Sequence, residues 1–202
     1  VWNPLEDHAF YTSYSKTFTP VGGELIGITP GDKNNSLDPQ NTRLYEGGVK
    51  SDWLDGRLAT TLSLYRLEMY NKRSKDPLDP TKVTLTGLQR TDGIELSARA
   101  QLTDELYLRG GIAIQDAEQV KADADLQGKR PMNVSRQNGQ LFAGYESGQQ
   151  GWFGETGVTA VGDRFADNAN TTTLPGYARF DARAGYRWPQ WEAQLSVENL
   201  TD

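Results

Sequence analysis

The chain of 202 residues has no cysteine, one histidine, two methionines and no initiator methionine. Without cysteine there is no disulfide framework and no thiolate metal site. With His8 as the single histidine, a nucleophile–base–orienter arrangement finds no base, so the sequence does not read as an enzyme. Basic residues number 21 against 27 acidic, a net charge of −6, which argues against nucleic acid as a partner because phosphate neutralisation needs lysine and arginine. No run approaches the roughly 18 apolar residues of a spanning helix, and a hydrophobic content of 36 % with a mean hydropathy of −0.67 excludes a helical membrane protein. The N-terminus, Val-Trp-Asn-Pro, carries no signal peptide and reads as a mature chain or an excised piece.

What is present is alternation with period two, with no convincing helix. Ile94, Leu96, Ala98, Ala100 and Leu102 share one face, with Glu95, Ser97, Arg99 and Gln101 on the other. Leu106, Leu108, Gly110, Ile112 and Ile114 oppose Tyr107, Arg109, Gly111 and Gln115. Ala178, Phe180, Ala182, Ala184 and Tyr186 oppose Arg179, Asp181 and Arg183; Trp191, Ala193, Leu195 and Val197 oppose Glu192, Gln194, Ser196 and Glu198. Tyr45, Val49 and Trp53 oppose Glu46, Lys50 and Asp52. In 57–71 the phase changes, from Leu58, Leu62 and Leu64 to Tyr65, Leu67 and Met69, and a β-bulge near Leu64 is the predicted cause. The pattern predicts about nine strands, at 8–19, 43–53, 57–71, 84–102, 106–116, 137–146, 152–165, 176–186 and 191–198. Several exceed the ~5–6 residues of an average strand and reach the ~9–11 that a membrane-barrel strand needs.

The connections alternate between two kinds. Short turns fall at 54–56, 103–105, 147–151 and 187–190; long polar loops fall at 20–42, 72–83, 117–136 and 166–175. In an antiparallel meander this places all short turns at one end and all long loops at the other, the organisation of an outer-membrane barrel. Trp2, Trp53, Trp152, Trp188 and Trp191 all map to the short-turn end, with Tyr107, Tyr145 and Tyr186 at the same level, as an interfacial aromatic girdle requires. Arginine or lysine facing lipid near the midplane costs about 2–4 kcal/mol, so the face bearing Glu46, Lys50, Glu95, Arg99, Arg179, Asp181 and Arg183 is the lumen. Nine strands do not close an even-numbered barrel, which predicts a fragment of a larger one.

Particular strings carry a resemblance: "YSKTFTP" at 14–20, "YEGGVKSDWLDGRLATTLSLYRLEMYNK" at 45–72, "TGLQRTDGIELSARAQLTDELYLRGGIA" at 86–113, "GDRFADNANTTTLPGYARFDARAGYRW" at 162–188 and "VENLTD" at 197–202. In this order and spacing they resemble the C-terminal part of the barrel of TonB-dependent siderophore receptors. The resemblance implies an all-β, antiparallel transmembrane barrel of about 22 strands, of which residues 1–202 would supply roughly strands 13 to 21. The plug, the first barrel half and the last strand would lie outside the chain, and the coupling residues with them. It further implies a Gram-negative outer-membrane location and energy-coupled uptake of a ferric siderophore. The expected partners are that siderophore, the TonB complex acting through the missing plug, and outer-membrane lipid with lipopolysaccharide; the full receptor is expected to be monomeric, with no resident cofactor. Haem, cobalamin or an oligosaccharide would be alternative cargoes, and a passive porin-like channel an alternative mechanism.

Ferric siderophores are often anionic or rich in oxygen acceptors, so aromatics and arginines near the long-loop ends are the candidate ligand contacts: Tyr70, Arg73, Arg164 and Phe165. Their competing reading is the outer aromatic girdle or contact with lipopolysaccharide. Arg130 is a weaker candidate. Asp116, Glu118, Asp123 and Asp125 cluster as hard oxygen ligands for calcium do, but their spacing matches no calcium loop, and they are expected to form a solvated acidic stretch.

Overall fold

The computed structural model describes residues 1–19, 39–75 and 83–201, with the backbone alone at 72–75 and 83–86. Its main sheet has ten antiparallel strands in sequence order. These are β1 (Trp2–Leu5), β2 (His8–Thr19), β3 (Gln40–Trp53), β4 (Leu58–Lys75), β5 (Val83–Gln101), β6 (Leu106–Lys121), β7 (Gln137–Glu146), β8 (Gly151–Val161), β11 (Tyr177–Arg187) and β12 (Glu192–Val197). A separate two-stranded hairpin, β9 (Arg164–Phe165) with β10 (Thr173–Leu174), lies in the connection between β8 and β11. β1 and β12 form the two edges of the sheet.

The all-β reading holds, with four corrections to its details. Trp2–Leu5 is a strand of its own, too short for an alternation to show; the predicted strand 152–165 is two, because the chain leaves the sheet after Val161. β4, β5 and β6 extend to Lys75, Val83 and Lys121, so strand replaces parts of the predicted loops 72–83 and 117–136. What is left of the first of these, 76–82, and most of the predicted loop 20–42 lie outside the described residues.

The fourth correction concerns the phase change at Leu64. No bulge is there: β4 pairs with β3 without interruption from Leu58 to Tyr70, and with β5 over the same stretch. The cause is visible in rows of side chains that cross the sheet on one face. Phe10, Val49, Leu62, Leu96 and Ile112 are consecutive cross-strand partners, and so are Thr12, Gly47, Leu64, Ile94 and Ile114. The next row on the same face is Tyr14, Tyr45, Arg66, Asp92 and Asp116, and the one after it Lys16, Arg43, Glu68, Arg90 and Glu118. The face is apolar up to Leu64 and charged beyond it. An 18-residue strand is longer than the ~9–11 residues that cross a bilayer. Once it has risen past the hydrocarbon, the penalty on outward charge disappears and the rule that fixed the pattern no longer applies.

Apolar side chains on this face stay open: Leu64 is 61 % exposed, Leu141 56 % and Ile114 53 %. A contiguous apolar surface of this extent marks contact with lipid or a partner. The opposite face carries the predicted lumen charges. Glu95 and Ser63 are partners there, as are Lys50 and Thr61, Arg99 and Arg109, and Arg183 and Glu155. Rings on this polar face lie across glycines of the next strand: Tyr11 on Gly48, Tyr65 on Gly93, Tyr107 on Gly144, Phe142 on Gly157 and Phe153 on Gly185. A side chain at any of these glycines would collide with the ring, so strand spacing and ring orientation are set together.

The short turns have local causes. Leu54 and Asp55 adopt φ of 56° and 55° ahead of Gly56 at 80°, the left-handed geometry that closes a tight hairpin. At 103–105 the Thr103 hydroxyl accepts from the Glu105 and Leu106 amides at 3.3 and 3.0 Å. Trp188 and Trp191 stack at 3.7 Å across the last turn, and Tyr186 links Trp188 to Trp152 at 4.4 and 5.2 Å. Toward the other edge of the sheet, on the same face, Trp53 donates its indole N–H to Thr60 at 2.9 Å and meets His8 edge-on at 4.9 Å. The tryptophans thus gather at the short-turn end, as the girdle predicts.

Candidate functional site

The long connections after β6 and β8 pack together at the end opposite the tryptophans. Asn170 ties them: its side-chain oxygen accepts from the Arg130 amide at 3.0 Å and its amide group donates to the Arg130 carbonyl at 2.7 Å. Asn168 accepts from the Met132 amide at 3.0 Å, Lys129 donates to the Ala169 carbonyl at 2.8 Å, and the Asn133 amide donates to the Phe165 carbonyl at 2.8 Å. Pro131 is fully buried between them. Asp167 organises the β9–β10 loop by accepting from the Thr171 and Thr172 amides at 3.1 and 2.9 Å, and these bonds hold its carboxyl below the ordinary aspartate range. Long loops so bonded form one stiff rim.

Two guanidinium–aromatic pairs sit in this rim. Arg130 lies 4.6 Å above the Phe165 ring and Arg164 lies 5.3 Å from Tyr177. Arg130 is paired with Asp163 at 3.1 Å and its side chain is only 10 % exposed, so its charge is spent inside the clasp. Arg164 makes no ion pair among the described residues, and its buried Nη1 has no hydrogen-bond partner. Tyr177 continues the polar face of β11, on the side of Arg179 and Asp181. Arg164 with Tyr177 therefore offers a cation and a ring above the lumen, which suits an anionic or oxygen-rich ligand.

The four residues singled out from sequence do not form one cluster. Arg164 and Phe165 are neighbours in the rim. Tyr70 lies on the apolar-to-charged face, cross-strand from Asn41 and Leu88, with Arg43 4.6 Å above its ring and its hydroxyl donated to Glu68 at 2.7 Å. The side chain of Arg73 lies outside the described residues, and its backbone pairs with Leu85. Of the acidic group, Asp116 pairs with Arg136 at 3.6 Å and Glu118 with Arg90 at 3.2 Å. Sequence reasoning missed Asn168, Asn170, Asp167 and Tyr177. The string Asp-Asn-Ala-Asn-Thr-Thr-Thr was the available signal, since such side chains close turns on their own backbone.

A second polar centre lies inside the lumen. Glu155 accepts a bidentate pair from Arg109 at 2.7 Å each and a hydrogen bond from Tyr107 at 3.0 Å, with Arg183 at 3.6 Å. This arrangement joins β6, β8 and β11 across the polar face.

An open antiparallel sheet, apolar outside and charged inside, with short girdled turns at one end and a bonded loop rim at the other, is the wall of a transmembrane β-barrel. The family model described as "TonB dependent receptor-like, beta-barrel" matches residues 1–200, and the chain belongs to that family of outer-membrane receptors. The chain is 35 % identical over 182 residues to the metal-pseudopaline receptor CntO of Pseudomonas aeruginosa, covering 87 % of this chain and 25 % of the relative. It is 30 % identical to the probable TonB-dependent siderophore receptor PiuA of Acinetobacter baumannii, covering 100 % of this chain and 29 % of the relative. The crystal structure of PiuA superposes with a TM-score of 0.79 at 29 % identity, over 100 % of this chain and 30 % of that one. The ferrioxamine B receptor of Salmonella typhimurium is 30 % identical over 95 % of this chain and 28 % of its own length. The chain thus spans between a quarter and a third of these relatives.

Proposed function

We propose that the receptor containing this chain takes up a ferric siderophore across the outer membrane, energised by the TonB complex. The observation that carries the proposal is the family match over 1–200 together with relatives named as siderophore receptors. In this reading the apolar face holds the bilayer and the lumen charges meet a plug supplied by the rest of the receptor. Arg164, Phe165 and Tyr177 contribute to the ligand vestibule. We assign Tyr70 to the outer rim of the wall, because its ring faces outward and its hydroxyl is occupied by Glu68. The metal-pseudopaline receptor favours a second, wider reading, in which the chelated metal is not iron.

Direct binding tests the site. A panel of ferric siderophores is titrated against detergent-purified receptor by intrinsic fluorescence quenching. One member is expected to bind, with Arg164→Gln weakening it about tenfold through loss of a charge-assisted contact. Binding unchanged in Arg164→Gln would remove this residue from the vestibule. Preference for a chelate of a metal other than iron over every ferric one would support the wider reading.

A further inference from the structure

The polar centre around Glu155 holds more positive charge than the wall needs. Arg99 and Arg109 are direct cross-strand partners, and like charges placed opposite each other weaken a sheet. Glu155 answers one of them through its bidentate pair with Arg109, while Arg183 stands 3.6 Å from the same carboxylate. Arg99 lies 5.0 Å from the Tyr107 ring and makes no ion pair among the described residues. Three guanidinium groups thus share one carboxylate. That carboxylate is tucked beneath them: the Arg109 and Arg183 side chains are 39 % and 47 % exposed, whereas that of Glu155 is almost wholly buried. At this level the wall shows guanidinium to the lumen.

Neighbouring levels of the same face lack this surplus. Tyr177, with Arg164 beside it, lies above Arg183 on the same face of β11, about 20 Å away at the usual rise of a strand. Between them Arg179 is matched by Asp181, and Glu198 lines the same hollow as Tyr177 and Arg179. Glu95 stands above Arg99 on β5. At the short-turn mouth Arg187 is outnumbered by Glu146 and Glu192. We propose that Arg99, Arg109 and Arg183 form a transit site, a binding point in the lumen for the anionic oxygens of a carboxylate-bearing metal chelate that has left the rim. The surplus charge draws the anion down β11 to the middle of the wall, and the acidic mouth does not retain it. Guanidinium suits such oxygens because its fork matches a carboxylate. This inference rests on the uptake reading and adds that the cargo is anionic.

The test uses the full receptor in iron-starved cells, with radioactive iron chelates sorted by net charge at neutral pH. Chelates with free carboxylate, ferric citrate among the probes, are expected to accumulate through the receptor, and neutral ones, ferrichrome among them, are not. Arg99→Gln/Arg183→Gln removes the surplus and leaves Arg109 paired with Glu155, so the wall keeps that bond. Cell-surface binding with a protonophore present is expected to match wild type, while the initial uptake rate falls about tenfold and Arg99→Lys/Arg183→Lys restores it. If the double variant does not reach the membrane, Arg99→Gln alone, which breaks no ion pair, decides the matter with a smaller loss in the same direction. Unchanged uptake by a variant that still binds, no rescue by lysine, or import of neutral chelates alone would overturn the proposal with the uptake reading intact. New sensitivity to a large antibiotic that the outer membrane excludes would overturn it too, because the arginines would then be holding the plug. Receptor-dependent accumulation of no chelate at all would instead remove the uptake reading, and this proposal with it.

Discussion

Glu155 ties three strands of the polar face together, and it shows how a lumen charge can hold the wall. It is 9 % exposed and joins three strands through Arg109, Tyr107 and Arg183. Hydrogen bonds to charged groups are worth about 1.5–3 kcal/mol, so Glu155→Ala is expected to destabilise the folded receptor by about that amount in urea unfolding. The exposed outward pair Arg66–Asp92 is expected to matter by less than about 1 kcal/mol when Asp92 is changed to Asn. Equal costs for the two would contradict the contrast. Asp167 makes a pH-dependent prediction. Its folded pKa is depressed, so its stabilisation is present above the ordinary aspartate value and lost as pH falls through the lowered one. The rim is expected to be ordered at neutral pH and to loosen only in strong acid. Amide exchange at Thr171 and Thr172 reads this directly, and Asp167→Ala should speed it by about tenfold at pH 7. Exchange as slow in the variant as in wild type would sink that role.

At the scale of the element, the strands were legible because a buried-to-lipid alternation has one interpretation, and a slip of one residue would turn Arg179, Asp181 and Arg183 into the hydrocarbon. The same rule misled at Leu64. Alternation alone treats the bilayer as running the length of β4 and assigns the exchange of faces to the backbone. The paired rows show an unbroken register and a change of surroundings instead. This has a measurable consequence. Leu96→Arg, within the apolar rows, is expected to cost about 2–4 kcal/mol in vesicles, whereas Leu replacing Arg66 should be nearly neutral. If both cost the same, Arg66 lies inside the hydrocarbon and a different account of the phase change is needed. The rim was the least legible element, because its order comes from asparagine and aspartate bonding between loops forty residues apart, such as Asn170 to Arg130, which no local periodicity reports.

For the whole molecule, composition pointed away from the membrane while pattern pointed to it. A net charge of −6 and 36 % hydrophobic residues are compatible with a barrel wall because half of each strand faces the lumen and the long loops are polar. The resemblance stated from five strings agrees with the family match over 1–200, while of the residues chosen for ligand contact Arg164 and Phe165 lie in the rim and Tyr70 on the outward face. Uptake of radioactive iron from a panel of ferric siderophores, by iron-starved cells with and without the gene, tests the central claim most directly. The account predicts that deletion abolishes accumulation of at least one chelate, that the gene restores it, and that a protonophore removes it. Unchanged accumulation of every member after deletion, or uptake that survives the protonophore, would contradict energy-coupled siderophore import.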